Sequence, residues 1–201
     1  MAVFGITEKL ARTKARRFAG SVRPDVSADA APDGTVTIMF SDIEDSTELT
    51  ERLGDRAWQE LLREHNALIR QQLKKHGGYE VKTMGDGFMV AFECARKGIE
   101  CAVAIQRAFA ARDAAKGEHV KVRIGLHAGE TIREGDDFYG KNVILASRVA
   151  GQAKGGEIMV SSILRQSVAS SLDESLFGEP RDLELKGLSG TQRVFAVAWR
   201  D

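Results

Sequence analysis

Residues 35–49 read TVTIMFSDIEDSTEL, an apolar run that ends in three carboxylates, Asp42, Glu44 and Asp45. Val36, Ile38 and Phe40 alternate with Thr37 and Met39, with no Gly or Pro among them. That spacing predicts a buried strand with Asp42 at its exit. Ser46 or Asp45 suits the N-cap of a helix that starts near Thr47, with Glu48 in its first turn. The loop between strand and helix then offers free backbone N–H groups to an anion. A carboxylate beside such amides suits a metal-bound phosphate. The same three acids serve equally as solvated turn and capping residues, so the rest of the chain must decide between these readings.

Beyond this stretch, the chain breaks at Leu53-Gly54-Asp55, and Asp55 is placed to cap a second helix. Trp58, Leu61, Leu62, His65, Leu68, Ile69 and Gln72 then recur at spacings of three and four, which makes one buried helical face. His65 lies on that face and reads as a hydrogen-bonded core histidine. Gly77-Gly78 stops the helix. Residues 79–92, YEVKTMGDGFMVAF, read as two strands folded about Gly85-Asp86-Gly87. Residues 94–116 give another amphipathic helix, and 120–128 a strand with Val120, Val122, Ile124 and Leu126 on one face.

Strand, helix, hairpin, helix, strand is the βαββαβ order of a ferredoxin-like core, an α+β fold with helices packed on an antiparallel sheet. In such a sheet the hairpin lies beside the first strand. Asp42 and Asp86 can then converge at one edge, where two carboxylates chelate a divalent cation that takes its remaining oxygens from water and substrate phosphate.

His127 ends its strand between Gly125 and Gly129 with no serine, cysteine or carboxylate close in sequence, so it takes a structural role. Residues 129–137 form a charged loop and 139–152 a helix, on which Arg148 shares a face with Ile144. Arg148 is the candidate phosphate clamp, because its planar fork matches phosphate oxygens. A C-terminal α/β extension follows: a strand at 157–160, a helix at 161–170, the loop KGLSG at 186–190 and a strand at 194–198. Lys186 in that glycine-flanked loop can reach a phosphate or stand as a solvated turn residue.

The chain has 201 residues, 43% hydrophobic, enough for one sizeable core. Lys plus Arg equals Asp plus Glu at 29 each, so no overall field recruits nucleic acid or an acidic membrane. No apolar run reaches the roughly 20 residues of a membrane span, and the N-terminus lacks a secretory pattern, which points to the cytoplasm. Cys94 and Cys101 have neither metal-ligand nor disulfide logic and read as small buried hydrophobes. Residues 1–34 divide into a basic segment, with Lys9, Arg12, Lys14, Arg16 and Arg17, and a Pro- and Ser-containing linker. The compact domain is 35–201, and the arm can couple to a regulatory partner.

Taken together and in order, FSDIEDSTEL, VKTMGDGFMVAF, VRIGLHAGE, DDFYGKNVILASRV and LKG resemble the catalytic domain of the class III nucleotide cyclases. The resemblance implies a homodimer with two shared active sites that turns ATP into 3′,5′-cyclic AMP and pyrophosphate. Carried over, Asp42, the carbonyl of Ile43, and Asp86 hold two Mg²⁺ or Mn²⁺ ions per site, and the amides of Asp45, Ser46 and Thr47 cradle phosphate. From the partner chain, Lys82 and Asp137 take the adenine-reading positions, Arg148 that of the transition-state arginine and Lys186 that of the phosphate-binding lysine.

Two positions depart from the family pattern. Ile144 stands where asparagine is usual, four residues before Arg148, and donates no hydrogen bond; Asn142 substitutes only if the helix start is irregular. Asp45 stands where glycine is common. The rival readings are a guanylate cyclase, which Lys82 and Asp137 argue against, and a weakly active nucleotide-binding or dimerisation module, which Ile144 favours.

Overall fold

The computed structural model describes residues 34–117 and 119–200. The basic arm and nearly all of the linker expected at 1–34 lie outside the described residues. The chain runs β1 (Thr35–Ile43), α1 (Ser46–Leu53), α2 (Asp55–His76), β2 (Tyr79–Met84), β3 (Gly87–Phe92), α3 (Ala95–Lys116) and β4 (Val122–Glu130). There follow β5 (Ile132–Glu134), β6 (Asp137–Tyr139), α4 (Lys141–Ala150), β7 (Ile158–Ser161), α5 (Ser162–Val168), β8 (Phe177–Glu184) and β9 (Thr191–Val197). No helix among the described residues is long and apolar enough to cross a membrane.

The fold is α+β, as the order of elements predicts. One sheet runs β2-β3-β1-β4-β7-β9-β8. Its pairs are antiparallel except β4 with β7, which is parallel. The core strands β2-β3-β1-β4 are antiparallel, as expected, and the C-terminal extension adds the parallel pair, because the chain crosses over through α4 to lay β7 alongside β4.

Both faces of the central strands are covered. Met39, Ile43, Phe88, Val90, Phe92, Ile124 and Leu126 pack with Leu61, Ile69, Ile99 and Ile105 of α2 and α3. Each such fully buried side chain contributes roughly 1.5–3 kcal/mol. On the other face, Val36, Ile38, Met89 and Ala91 meet Ala146 of α4 and Phe138 of β6. Thus α4 does not join α2 and α3 on their side of the sheet. It lies so close to β4 that a Cβ on Gly125 would collide with the backbone of Ala150, so Gly125→Ala would push the Arg148 helix off the sheet.

Some boundaries fall differently from the sequence reading. Asp55 is the first residue of α2 and Gly54 its N-cap, with no side-chain capping bond. Residues 129–137 are not simply a loop, since Ile132–Glu134 pairs with Asp137–Tyr139 as a separate two-stranded ribbon, and α4 starts only at Lys141. β8 had no clear alternation and was not foreseen. Of the two cysteines Cys101 is buried, with its thiol pushed up to about 12 by burial, whereas Cys94 is exposed just ahead of α3.

Candidate active site

The β2–β3 hairpin turns through two residues, since Met84 pairs with Gly87. Gly85 has φ 66, which fits a turn that needs glycine at its first central position. Asp86 is therefore the second central residue rather than the first half of an Asp-Gly turn. Gly87 lies against β1: a Cβ there would sit 3.3 Å from the Ser41 carbonyl oxygen and 4.0 Å from Asp42 Cβ. At this seam Asp86 Oδ2 accepts a hydrogen bond from Ile43 N at 3.0 Å. The hairpin tip and the exit of β1 are brought together, with Asp42, Ile43 and Asp86 side by side.

Asp42 has a partner that sequence reasoning missed. Register sets it opposite Arg123 on β4, and Arg123 donates to both carboxylate oxygens, Nε to Oδ1 at 2.7 Å and Nη2 to Oδ2 at 2.8 Å. The hydrogen bond that Arg123 donates to Asp42 raises the guanidinium pKa above its already high ordinary value. The signal was present in VRIG: once Val122 and Ile124 face α2 and α3, Arg123 must face the other way, on the side of Asp42.

The loop after β1 leaves backbone donors at the start of α1. Asp45 is the one non-glycine among the described residues with positive φ, at 53 with ψ 36. Glycine takes this left-handed position most readily, and aspartate is among the side chains that tolerate it best. Asp45 is the N-cap of α1, yet no side chain caps the helix. The expected cap by Ser46 or Asp45 is absent, so the first-turn amides of Ser46 and Thr47 are left for another acceptor.

A second cluster joins Lys82 on β2 to Asp137 on β6, with Lys82 Nζ 2.6 Å and 2.9 Å from the two carboxylate oxygens. Phe138 N also donates to Asp137 Oδ1 at 2.8 Å, and the Tyr139 hydroxyl bonds the same carboxylate. Burial works to raise the Asp137 pKa, but the Lys82 and backbone hydrogen bonds outweigh it and hold the carboxyl below its ordinary range. In return the carboxylate raises the Tyr139 hydroxyl's pKa.

The third cluster lies on α4. Leu145, Ala146 and Val149 are buried, while Arg148 points toward the 186–190 loop and donates from Nε to the Lys186 carbonyl at 3.1 Å. Ile144 is 49% exposed. Asn142 does not stand in for an asparagine at position 144. Its Oδ1 bonds His127 Nε2 at 3.0 Å and its Nδ2 donates to the Glu130 carbonyl at 2.8 Å. His127 Nδ1 bonds Ser161 Oγ at 2.7 Å, so this histidine is buried in a structural network. Its partners come from distant parts of the chain, invisible in the local sequence. Burial lowers its pKa, with Asn142 acting the other way.

Divalent metal suits the first cluster on its donor chemistry. Two carboxylates and a carbonyl are hard oxygen ligands, and among the described residues no group of three or more His, Cys, Asp or Glu side chains forms a closed cage. Such a set holds Mg²⁺ or Mn²⁺ only with oxygens from water and substrate.

The fold and these clusters define a nucleotide cyclase catalytic domain. Residues 28–198 match the model of the adenylate and guanylate cyclase catalytic domain, and the chain belongs to that family. It is 35% identical over 200 residues to the adenylate cyclase of Podospora anserina, covering 80% of this chain and 9% of that protein. The chain thus spans about a tenth of the length of that relative. A structure of the guanylate cyclase domain of RhGC from Catenaria anguillulae in complex with GTP is similar at TM-score 0.71 and 25% identity, over 84% of this chain and 98% of that one. The catalytic core of a rhodopsin-guanylyl cyclase with converted specificity, in complex with ATPαS, is similar at TM-score 0.72 and 26% identity, over 82% and 96% of the two chains.

Proposed function

We propose that this domain is an adenylate cyclase, which forms 3′,5′-cyclic AMP and pyrophosphate from ATP at two equivalent sites shared across a homodimer. The observation that carries the reading is the seam at which Asp86 accepts from Ile43 N beside Asp42. Its membership among cyclase domains and its likeness to an adenylate cyclase support the reading. Asp42, the Ile43 carbonyl and Asp86 hold two Mg²⁺ or Mn²⁺ ions. When bound, such metals lower the pKa of the attacking hydroxyl and spread phosphate charge.

The chain's own residues bind and orient. First-turn amides from Asp45 to Thr47 receive phosphate oxygens. From the partner subunit, the Lys82 ammonium donates to the adenine ring nitrogen and the Asp137 carboxylate accepts from its amino group. Arg148 offers two donors to the charge that builds on the reacting phosphate, which a point-charge lysine matches poorly. Lys186 neutralises the phosphate tail. The Lys82–Asp137 contact favours adenine over guanine, since guanine presents an N–H at the position where Lys82 would donate. Residues 35–201 form the catalytic unit, residues 1–34 couple it to a regulatory partner, and it works in the cytoplasm.

Ile144 favours a second reading, a nucleotide-binding module of low turnover. Assaying ATP and GTP for cyclic nucleotide and pyrophosphate, with Mn²⁺ and Mg²⁺ across protein concentration, decides. Cyclic AMP formation that rises more steeply than protein concentration fits the proposal; nucleotide binding with no pyrophosphate release overturns it.

A further inference from the structure

We infer that Glu44 is a positioning residue, which pins the metal-and-phosphate loop to the turn that follows the Arg148 helix. The inference rests on the cyclase reading above and concerns a residue to which that reading gives no role. Glu44 sits between Ile43 and Asp45. Its N donates to the Lys121 carbonyl at 2.8 Å, and its Oε1 accepts from Gly155 N at 2.7 Å. The contact is tight: a Cβ on Gly155 would collide with the Glu44 carboxylate and come within 2.6 Å of Lys121 Cβ. Only glycine leaves room for this hydrogen bond.

The far end of the tether is itself fixed. Gly156 N donates to the Val122 carbonyl at 2.9 Å, and Trp199 Nε1 donates to the Gly156 carbonyl at 2.7 Å. Three successive residues of the loop are therefore set by separate constraints: Ile43 by Asp86, Glu44 by Lys121 and Gly155, and Asp45 by its left-handed backbone. Lys121 Nζ stands 3.8 Å from the Glu44 carboxylate with 64% of its side chain exposed, a weak ion pair beside a strong hydrogen bond. Glu44 acts by the acceptor it presents rather than by its charge.

The charge and the acceptor separate cleanly by substitution. Glu44→Gln keeps an Oε1 acceptor without charge, and Glu44→Met keeps the length with neither. Mn²⁺ binding to the full chain is read by the electron paramagnetic resonance of free Mn²⁺, together with kcat and KM for ATP and the thermal midpoint. Glu44→Gln stays within about twofold of wild type, and Glu44→Met loses about tenfold in Mn²⁺ affinity, the low end of what losing a group that orients metal ligands costs. If Glu44→Met does not fold, Glu44→Ala carries the same comparison. Equal losses in the Gln and Met variants would assign the effect to charge, and unchanged affinity in the Met variant would make the tether inert; either overturns the inference. A wild-type protein that neither binds Mn²⁺ nor releases pyrophosphate overturns the cyclase reading itself.

Discussion

Arg123 closes on Asp42 with both prongs of its guanidinium, at 2.7 and 2.8 Å, so the residue assigned to metal is already occupied by a cation of the same chain. A metal that takes Asp42 must loosen this pair. With side chains 30% and 44% exposed, the pair is worth at most about 1 kcal/mol. Arg123→Gln should therefore tighten Mn²⁺ binding in the absence of nucleotide by up to about fivefold. A titration that instead shows weaker binding would make Arg123 a contributor to the metal site rather than its competitor.

Lys82 and Asp137 are the proposed base-reading pair, and the depressed Asp137 pKa has a sign that can be checked. A carboxyl lowered from 3.8 adds stability that is present above that value and lost as pH falls through the folded pKa. The effect is small because both side chains are partly exposed, at 39% and 27%. Base choice should accordingly hold unchanged from pH 8 down to about pH 5. Lys82→Met should move the Asp137 carboxyl upward in an NMR titration, and Lys82→Glu with Asp137→Gly should erode the ATP over GTP ratio. An unchanged ratio removes the pair from base recognition.

His65 is 1% exposed between the rings of Phe88 and Phe109. Burial lowers its pKa from 6.5, against the raising effects of Asn66, Asp86 and Asp42. Below pH 6.5 the unfolded chain takes a proton that the folded chain refuses. The stability is fully present above that pH and is lost as pH falls toward the depressed value. The urea midpoint should drop between pH 7.5 and 5.5, and His65→Phe should flatten the slope. An equal slope in that variant assigns the loss elsewhere.

In the proposed site Ile144 leaves the helix one donor short near the reacting phosphate, and Asn142 cannot serve because His127 and the Glu130 carbonyl hold it. Position 144 is exposed, so Ile144→Asn costs little packing. A donor that acts on transition-state charge is worth roughly 10²–10³ in rate where it is fully aligned; about a tenfold rise in kcat with KM little changed is expected. No rise would show that this domain's chemistry does not use that position.

The alternation in residues 35–43 and the Gly-Asp-Gly hairpin made the βαββαβ core legible, because period and turn chemistry are local. The approach of Asp86 to the end of β1 followed from that order, with the bond from Ile43 N supplying the contact. Arg123 and Glu44 were harder to see. Their partners, Asp42 on another strand and Gly155 in a distant turn, lie far along the chain, and a guanidinium within VRIG or a glutamate in a loop carries no local sign of what it will touch. β8 was missed because its exposed edge position has no alternation to read. The Asn142–His127–Ser161 network needed the parallel β4–β7 pair, which no short-range pattern announces.

The central claim is a site built from two chains, and mixing two dead variants tests it most directly. Asp42→Ala and Arg148→Ala are each expected to be inactive, since each lesion falls in both sites of its own dimer. After subunit exchange, shown independently with labelled chains, a mixed dimer carries both lesions in one site and neither in the other. Random pairing makes about half of the dimers mixed, so roughly a quarter of wild-type cyclic AMP formation should return. A fully exchanged mixture that stays as inactive as its parents would contradict the shared-site account.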